Sequence, residues 1–124
     1  TVSCWGSGNV GREFMHVDDL SKAIIFCIEN WNPIDKNAPK DINGKILNHL
    51  NIGTGKDIKI KELARKISMI INYEGEIIWD KSKPDGTPKK LLDVSRINNL
   101  GWKANINLDE GIKRTIKDLD ISSL

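Results

Sequence analysis

The stretch WGSGNVGREFMHVDDL, residues 5–20, decides how the chain is read, because its glycines admit two interpretations. Gly6, Gly8 and Gly11 stand at the G-x-G-x-x-G spacing of loops that cradle a dinucleotide pyrophosphate. In such a loop the third glycine opens a helix, whose free N–H groups and dipole hold the phosphates. Here Gly11 is followed by Arg-Glu-Phe-Met-His-Val, an alternation that suits a strand, and the helical pattern starts about six residues too late. The acidic residue needed ~20 positions further on to hold the ribose is replaced by Trp31. The spacing therefore predicts a tight turn between two extended segments, TVSCW and REFMHV.

Outward from this turn, Val17 to Asn30 reads as a helix with Asp18 or Asp19 near its start. Val17, Leu20, Ile24, Cys27, Ile28 and Trp31 lie at helical spacing, and Ala23, Ile25 and Phe26 widen the apolar face. A helix apolar nearly all round needs cover on more than one side, so exposed hydrophobic surface and non-native association are expected. Residues 32–48, NPIDKNAPKDINGKILN, read as a surface loop without an assigned role. LNIGTG (50–55) reads as a strand entering a glycine turn, Ile60 to Ile71 as a helix, and GEIIWD (75–80) as a strand. KSKPDGTPKKLLD (81–93) is a loop with turn chemistry at Pro84-Asp85-Gly86. A short helix from about Val94 to Leu100 follows, with Asp93 as N-cap and Gly101 as stop. The last helix carries Asn107 and Glu110 as a capping pair and turns Leu108, Ile112, Ile116 and Leu119 to the core. Strands alternating with helices make an α/β unit.

At 124 residues the chain matches one modal domain, and 39% apolar with 29% charged residues is a globular balance. Nineteen basic against seventeen acidic residues leave +2, so no global field argues for nucleic acid or a membrane surface, and any anion site must be local. Two cysteines are too few for a disulfide scaffold and fit a reducing, cytoplasmic setting, with a buried thiol expected at Cys27. The longest apolar run, AIIFCI, is far short of the ~20 residues that span a bilayer. An opening inside a strand, without Met, is what a piece of a longer protein is expected to look like.

Most catalytic patterns fail on spacing. NIGTGKD lacks the earlier glycine and the following Ser or Thr of a phosphate-binding loop, since Leu50 and Asp57 occupy those places. His16 and His49 have no companion at metal-ligand spacing and read as packing or capping residues. Tyr73 is followed four residues on by Ile77, so a Tyr-x-x-x-Lys pair cannot form. What remains is anion chemistry. Arg12 follows a turn closely, and Lys81, Lys83, Lys89 and Lys90 gather in a loop stiffened by two prolines. Trp5 beside the glycines could stack on a base or sugar, although a core position is the default for a tryptophan.

The blocks WGSG, REFMHVDDL, LNIGTGKDIKIKELA, SKPDGTPKKLLDVSRINNLGW and NLDEGIKRT together resemble the C-terminal portion of GDP-L-fucose synthases, within the extended short-chain dehydrogenase/reductase superfamily. R-[DE]-[FY]-x-x-V-x-D and N-x-G-x-G are shared across that superfamily, whereas SKPDGTPKKLLDVSR is much more particular to fucose synthases. The resemblance implies a small α/β substrate-binding domain over residues 1–124, with an NADPH-binding Rossmann domain outside the chain. It implies an oxidoreductase and isomerase that converts GDP-4-keto-6-deoxy-D-mannose to GDP-L-fucose by 3,5-epimerisation and 4-keto reduction. Trp5, Arg12 and Lys90 then correspond to residues that contact the GDP-sugar, while Lys81 and Lys83 stay solvated. The family's Ser, Tyr, Lys, Cys and His of catalysis fall outside the chain. Cys4, Cys27, His16 and His49 match none of them, so catalytic, cofactor-binding and metal residues are all expected to be absent. A cytoplasmic homodimer is implied for the full-length enzyme, with a GDP-sugar as partner and neither nucleic acid nor membrane.

Three departures stand out, one of them Lys89, where relatives often have Arg. Gly11 replaces a larger side chain before the arginine and is expected to loosen the turn that aims Arg12. Lys59 stands where relatives have Ser or Thr, so the following helix is expected to lack a side-chain cap worth about 1 kcal/mol. Two other readings stay open on the residues: another nucleotide-sugar epimerase or dehydratase, and a non-catalytic nucleotide-binding module.

Overall fold

In the computed structural model the described residues, 1–119, form β1 (Val2–Trp5), β2 (Gly11–Glu13), α1 (Val17–Asn30), β3 (Asp57–Lys59), α2 (Ile60–Ile70), β4 (Ile77–Asp80), β5 (Lys89–Lys90), α3 (Ser95–Leu100) and α4 (Leu108–Asp118). They make two compact units, each described by itself below. The α/β class stands.

The first unit holds residues 1–14 and 56–91 and the described residues from Asn107 on. β1 pairs in parallel with β4, setting Trp5 opposite Asp80. A second sheet has the order β3-β2-β5, with β2 antiparallel to β3 and parallel to β5. Between β1 and β2 the chain turns through Gly6 at φ 78° and Gly8 at φ 68°, the left-handed region that favours glycine. The tight turn between extended segments is thus present. REFMHV is strand only to Glu13, because its later residues leave to begin α1.

The start of α2 explains why Lys59 is tolerated at the N-cap. Its side chain makes no capping bond. Instead the N–H of Ile60 donates to the Val10 carbonyl at 3.1 Å, and the N–H of Lys61 donates to the Gly8 carbonyl at 2.9 Å. The glycine turn supplies backbone acceptors for N–H groups that a helix otherwise leaves unpaired. Gly11, buried in β2, is held by ladders to Lys59 and Lys89, and a Cβ there would lie 2.5 Å from an Asp57 carboxylate oxygen. That carboxylate fills the space a larger residue would take, so the expected loosening at Gly11 is answered by pairing on both sides.

α2 presents the expected apolar stripe, but none of its residues is fully buried. An open apolar groove of about 230 Å³, lined among others by Val2, Ala64, Ile67 and Ile77, separates its face from the β1 and β4 strands. α4 begins as read, with the Asn107 side-chain oxygen accepting the Glu110 N–H at 3.0 Å. Leu119 departs from its expected core position: it is the C-cap residue, just past the last helical turn, and is exposed.

The second unit holds residues 15–55 and 92–106. α1 has the bounds the pattern gave, but its cap is His16, whose Nδ1 accepts the Asp18 N–H at 3.2 Å. Neither aspartate caps it; Asp19 is buried, and its Oδ2 accepts the N–H groups of Asn105 (2.9 Å) and Ile106 (2.8 Å). Ala23, Val94, Ile97 and Trp102 form the core, with Phe26, Cys27 and Ile52 packed on it. Partial burial pushes the Cys27 thiol pKa up. The wide apolar face of α1 is exposed as expected, from Val17 at 65% to Ile28 at 78%.

LNIGTG is not a strand. Strands exist only by pairing, and among the described residues 50–55 join no ladder; the Asn51 side-chain amide donates instead to the Asp93 carbonyl at 3.2 Å. α3 starts one residue later than read, although Asp93 still serves it, its Oδ1 accepting the Ser95 N–H at 2.9 Å. Gly101 closes α3 at φ 110°.

Two stability experiments follow. Gly8→Ala is expected to cost about 2 kcal/mol or more in urea unfolding, from left-handed strain plus collision with the Trp79 ring 2.7 Å from the new Cβ. Gly44→Ala, with φ 77° and nothing within 4 Å, is expected to cost only the strain, about 1 kcal/mol. Asp19→Ala leaves two backbone N–H groups without their acceptor and is expected to cost about 2–4 kcal/mol, most of it recovered in Asp19→Asn, which keeps one oxygen for both.

Candidate functional site

Trp5 closes β1 and is 75% exposed, so the default core position does not apply. Its indole lies beside the loop that joins β4 to β5, every residue of which from Lys81 to Pro88 is exposed. Lys83 is not merely solvated: its Nζ sits 5.5 Å from the centre of the Trp5 ring, within reach of a cation–π attraction. Lys81 is exposed as expected.

Arg12 is half-buried in the middle of β2, where its Cα partner in β5 is Lys90. Register partners in adjacent strands project to the same face, so the sheet sets Arg12 beside Lys90. The Arg12 Nη1 donates to the carbonyls of Gly11 (2.6 Å) and Thr87 (2.7 Å). A Cβ on Gly86 would stand 3.2 Å from Nη2, so glycine there leaves the guanidinium its room. Lys89, one residue along and turned to the other face, pairs with Asp57 at 3.2 Å.

The loop is fixed by polar contacts at both ends and in the middle. Asp80 Oδ1 accepts from the Ser82 N–H (3.0 Å) and Oγ–H (2.6 Å). Asp85 accepts the Ser7 N–H at 2.7 Å on one oxygen and the Ser7 Oγ–H at 2.6 Å on the other. Gly11 N–H donates to the Pro88 carbonyl at 2.8 Å. Asp85 and Ser7 were not singled out by sequence reasoning, which saw Pro84-Asp85-Gly86 only as a turn. Their contact spans 78 positions and leaves no local periodicity to find.

Trp5, Arg12 and Lys90 therefore all belong to the first unit, carried by β1, β2 and β5. An exposed aromatic face with the Lys83 ammonium over it can stack on a ring, and a guanidinium beside the Lys90 ammonium can bind an anion through charge-assisted hydrogen bonds. The histidines lie elsewhere, His16 capping α1 and His49 with its Nδ1 3.1 Å from Asn48 Oδ1. Among the described residues no three His, Cys, Asp or Glu side chains gather as a metal set, and no helix is long and apolar enough to cross a membrane.

Residues 1–53, which include Trp5 and Arg12, match the NAD dependent epimerase/dehydratase family. A GDP-L-fucose synthase of Escherichia coli K12 is 44% identical over 116 residues, 92% of this chain and 34% of the relative. The chain resembles the GDP-L-fucose synthases. Among solved structures, a GDP-6-OMe-4-keto-L-xylo-heptose reductase from C. jejuni is 43% identical with a TM-score of 0.80, over 93% of this chain and 32% of that one. A GDP-mannoheptose C4 reductase from Campylobacter jejuni with NADP bound is 39% identical with a TM-score of 0.74, over 93% and 33%. The chain spans about a third of the length of the curated relatives it matches.

The bonds from Ser7, the hydroxyl first and the amide second, hold the Asp85 carboxyl below the usual carboxylate range. A carboxyl lowered in the folded state contributes stability above the ordinary range, and loses it as pH falls through the lowered value. In carboxyl-detected NMR titration the Asp85 midpoint is expected below that of ordinary aspartates and should move up toward them in Ser7→Ala. An unmoved midpoint in that variant would deny the contact.

Proposed function

We propose that this chain is the substrate-binding domain of a longer NADPH-dependent GDP-L-fucose synthase, acting on GDP-4-keto-6-deoxy-D-mannose. The observation that carries the reading is Arg12 set beside Lys90 across β2 and β5, in the same unit as exposed Trp5, with the 81–88 loop reaching both through Lys83 over the Trp5 ring and the Thr87 carbonyl on Arg12. A nucleotide diphosphate bears about two negative charges, and each charge-assisted bond from Arg12 or Lys90 contributes roughly 1.5–3 kcal/mol. Trp5 offers a ring face for base or sugar. Similarity to a GDP-L-fucose synthase and to GDP-sugar reductases over nearly all of this chain supports the same substrate class.

The residues present do not fit NADPH. The helix start that meets the glycine turn, that of α2, has its first N–H groups bonded to the Gly8 and Val10 carbonyls, so they are not offered to a pyrophosphate, and α1, next along the chain, begins only at Val17. The cofactor belongs to the rest of the protein, as do the acid–base residues. What this chain does is hold the GDP end. Fixing that end makes the reaction at the sugar ring effectively unimolecular. By itself the chain is expected to be catalytically inactive. The full-length protein is expected to be a homodimer.

A second reading keeps the nucleotide and changes the sugar, favoured by heptose reductases at 39–43% identity. Turnover of the deoxyhexose and heptose GDP-sugars with NADPH, compared in the full-length protein, separates the two. In that protein Arg12→Ala is expected to raise KM for the keto-sugar nucleotide by roughly tenfold or more, equivalent to at least ~1.4 kcal/mol, with kcat changed much less. Unchanged kinetics would remove Arg12 from the site.

A further inference from the structure

We propose that Asp57 is a positioning residue of the anion site: its carboxylate lies over Gly11 and holds Lys89, and so fixes the register of β5 that sets Lys90 beside Arg12. The inference rests on the reading of the site given above.

Strand register is specified where one face of a strand is buried, because a slip of one residue then turns apolar side chains to solvent. β5 lacks that constraint. It is two residues long, both are lysines, both are exposed, and so is every residue from Lys81 to Leu91. The contacts that hold it beside β2 are made by carbonyls: Pro88 accepts the Gly11 N–H at 2.8 Å, and Thr87 accepts from the Arg12 Nη1 at 2.7 Å. Carbonyls recur at every residue, so a strand shifted by one can offer the neighbouring carbonyl in each case. Ser7 fixes the loop at Asp85, and three residues, Gly86 among them, separate that point from β5. A shift would carry Lys89 to the place beside Arg12, turn Lys90 to the opposite face, and draw Thr87 past the guanidinium by ~3.3 Å.

The pair of Asp57 with Lys89 is what distinguishes the two lysines. It is the one polar side-chain contact that either of them makes among the described residues, with Lys89 Nζ 3.2 Å from Asp57 Oδ1. Asp57 stands on β3 and Lys89 on β5, so the pair reaches across the middle strand, β2. The crossing is possible because the residue beneath it is Gly11: Asp57 Oδ2 lies 2.5 Å from where a Cβ would stand. Asp57 is opposite Glu13 and Lys89 opposite Gly11, which puts both on the face away from Arg12. One carboxylate thus ties three strands together from the back of the sheet and leaves the front to Arg12 and Lys90.

The test uses the full-length protein, with KM, kcat and affinity for GDP measured for wild type, for Asp57→Ala, Asp57→Asn, Gly11→Ala and Lys90→Ala, and for their combinations. Asp57→Ala is expected to raise KM and the GDP dissociation constant roughly three- to fivefold, the scale of one partly exposed ion pair, with kcat changed less than about twofold. Gly11→Ala keeps every charge but pushes the carboxylate aside, and should raise KM by a similar factor. In the Asp57→Ala background, where that space is empty, it should add nothing. Lys90→Ala is expected to raise KM roughly tenfold in wild type but no more than about threefold on top of Asp57→Ala, because a β5 free to shift offers Lys89 in its place. Adding Lys89→Ala to that double variant should then raise KM again. Faster amide exchange at Gly11 in Asp57→Ala, without nucleotide, is expected as well. Unchanged KM in Asp57→Ala and Gly11→Ala, a fall in kcat alone, or full additivity of Asp57→Ala with Lys90→Ala would each overturn the proposal while leaving the GDP-sugar reading intact. A wild-type protein that neither binds GDP nor turns over any GDP-sugar overturns that reading, and this role with it. If Asp57→Ala does not fold, Asp57→Asn, which keeps an acceptor for Lys89 without the charge, carries the same comparison at smaller amplitude.

Discussion

The carbonyls of Gly8 and Val10 accept the first free N–H groups of α2, and this contact decides what the glycine turn is for. The same spacing of glycines can present helix N–H groups to a phosphate or present carbonyls to a helix, and only one of these is possible at a given turn. Here the turn feeds the helix. Its left-handed glycines allow the reversal, and its carbonyls consume the donors that an anion would need. The turn then serves by what it holds on its flanks, Trp5 at the end of β1 and Arg12 within β2.

Much of this was legible in the sequence because it rests on local chemistry. α1 could be bounded from its periodicity, and the cap at Asn107 and the stop at Gly101 follow from residues that satisfy their own helix ends. The dinucleotide reading could be rejected because a helix starting six residues late is a local fact. What escaped depends on pairing across the chain. LNIGTG has strand composition but no partner, whereas DIK, with no strand signature, becomes β3 because β2 runs beside it. For His16 the sequence left packing and capping open, and capping is what the fold selects, its Nδ1 accepting the Asp18 N–H.

The candidate site shows the same division. Arg12 and Lys90 could be named from motif positions, but their adjacency is a property of the β2–β5 register. Trp5 could not be placed, since a tryptophan's burial depends on what the fold brings over it, and Lys83 covers only part of one face. The anchors that tie the loop to Ser7 and Arg12 were invisible for the same reason, since they join residues 78 and 75 positions apart.

Why Lys90 rather than Lys89 should meet an anion comes down to strand alternation. Adjacent residues of a strand face opposite ways, so a pair of lysines in β5 cannot both lie beside Arg12. Register gives that place to Lys90, and Lys89 falls where Asp57 neutralises it. Asp57 does two things at once, filling the space beside Gly11 and taking the second lysine. A basic sequence of four lysines in ten residues thereby becomes a graded surface, in which Lys83 is held by an aromatic ring, Lys89 is paired with a carboxylate, and Lys90 stands with Arg12 on one face of the sheet. Composition alone would have counted these charges as equal, and it is their partners that make them different.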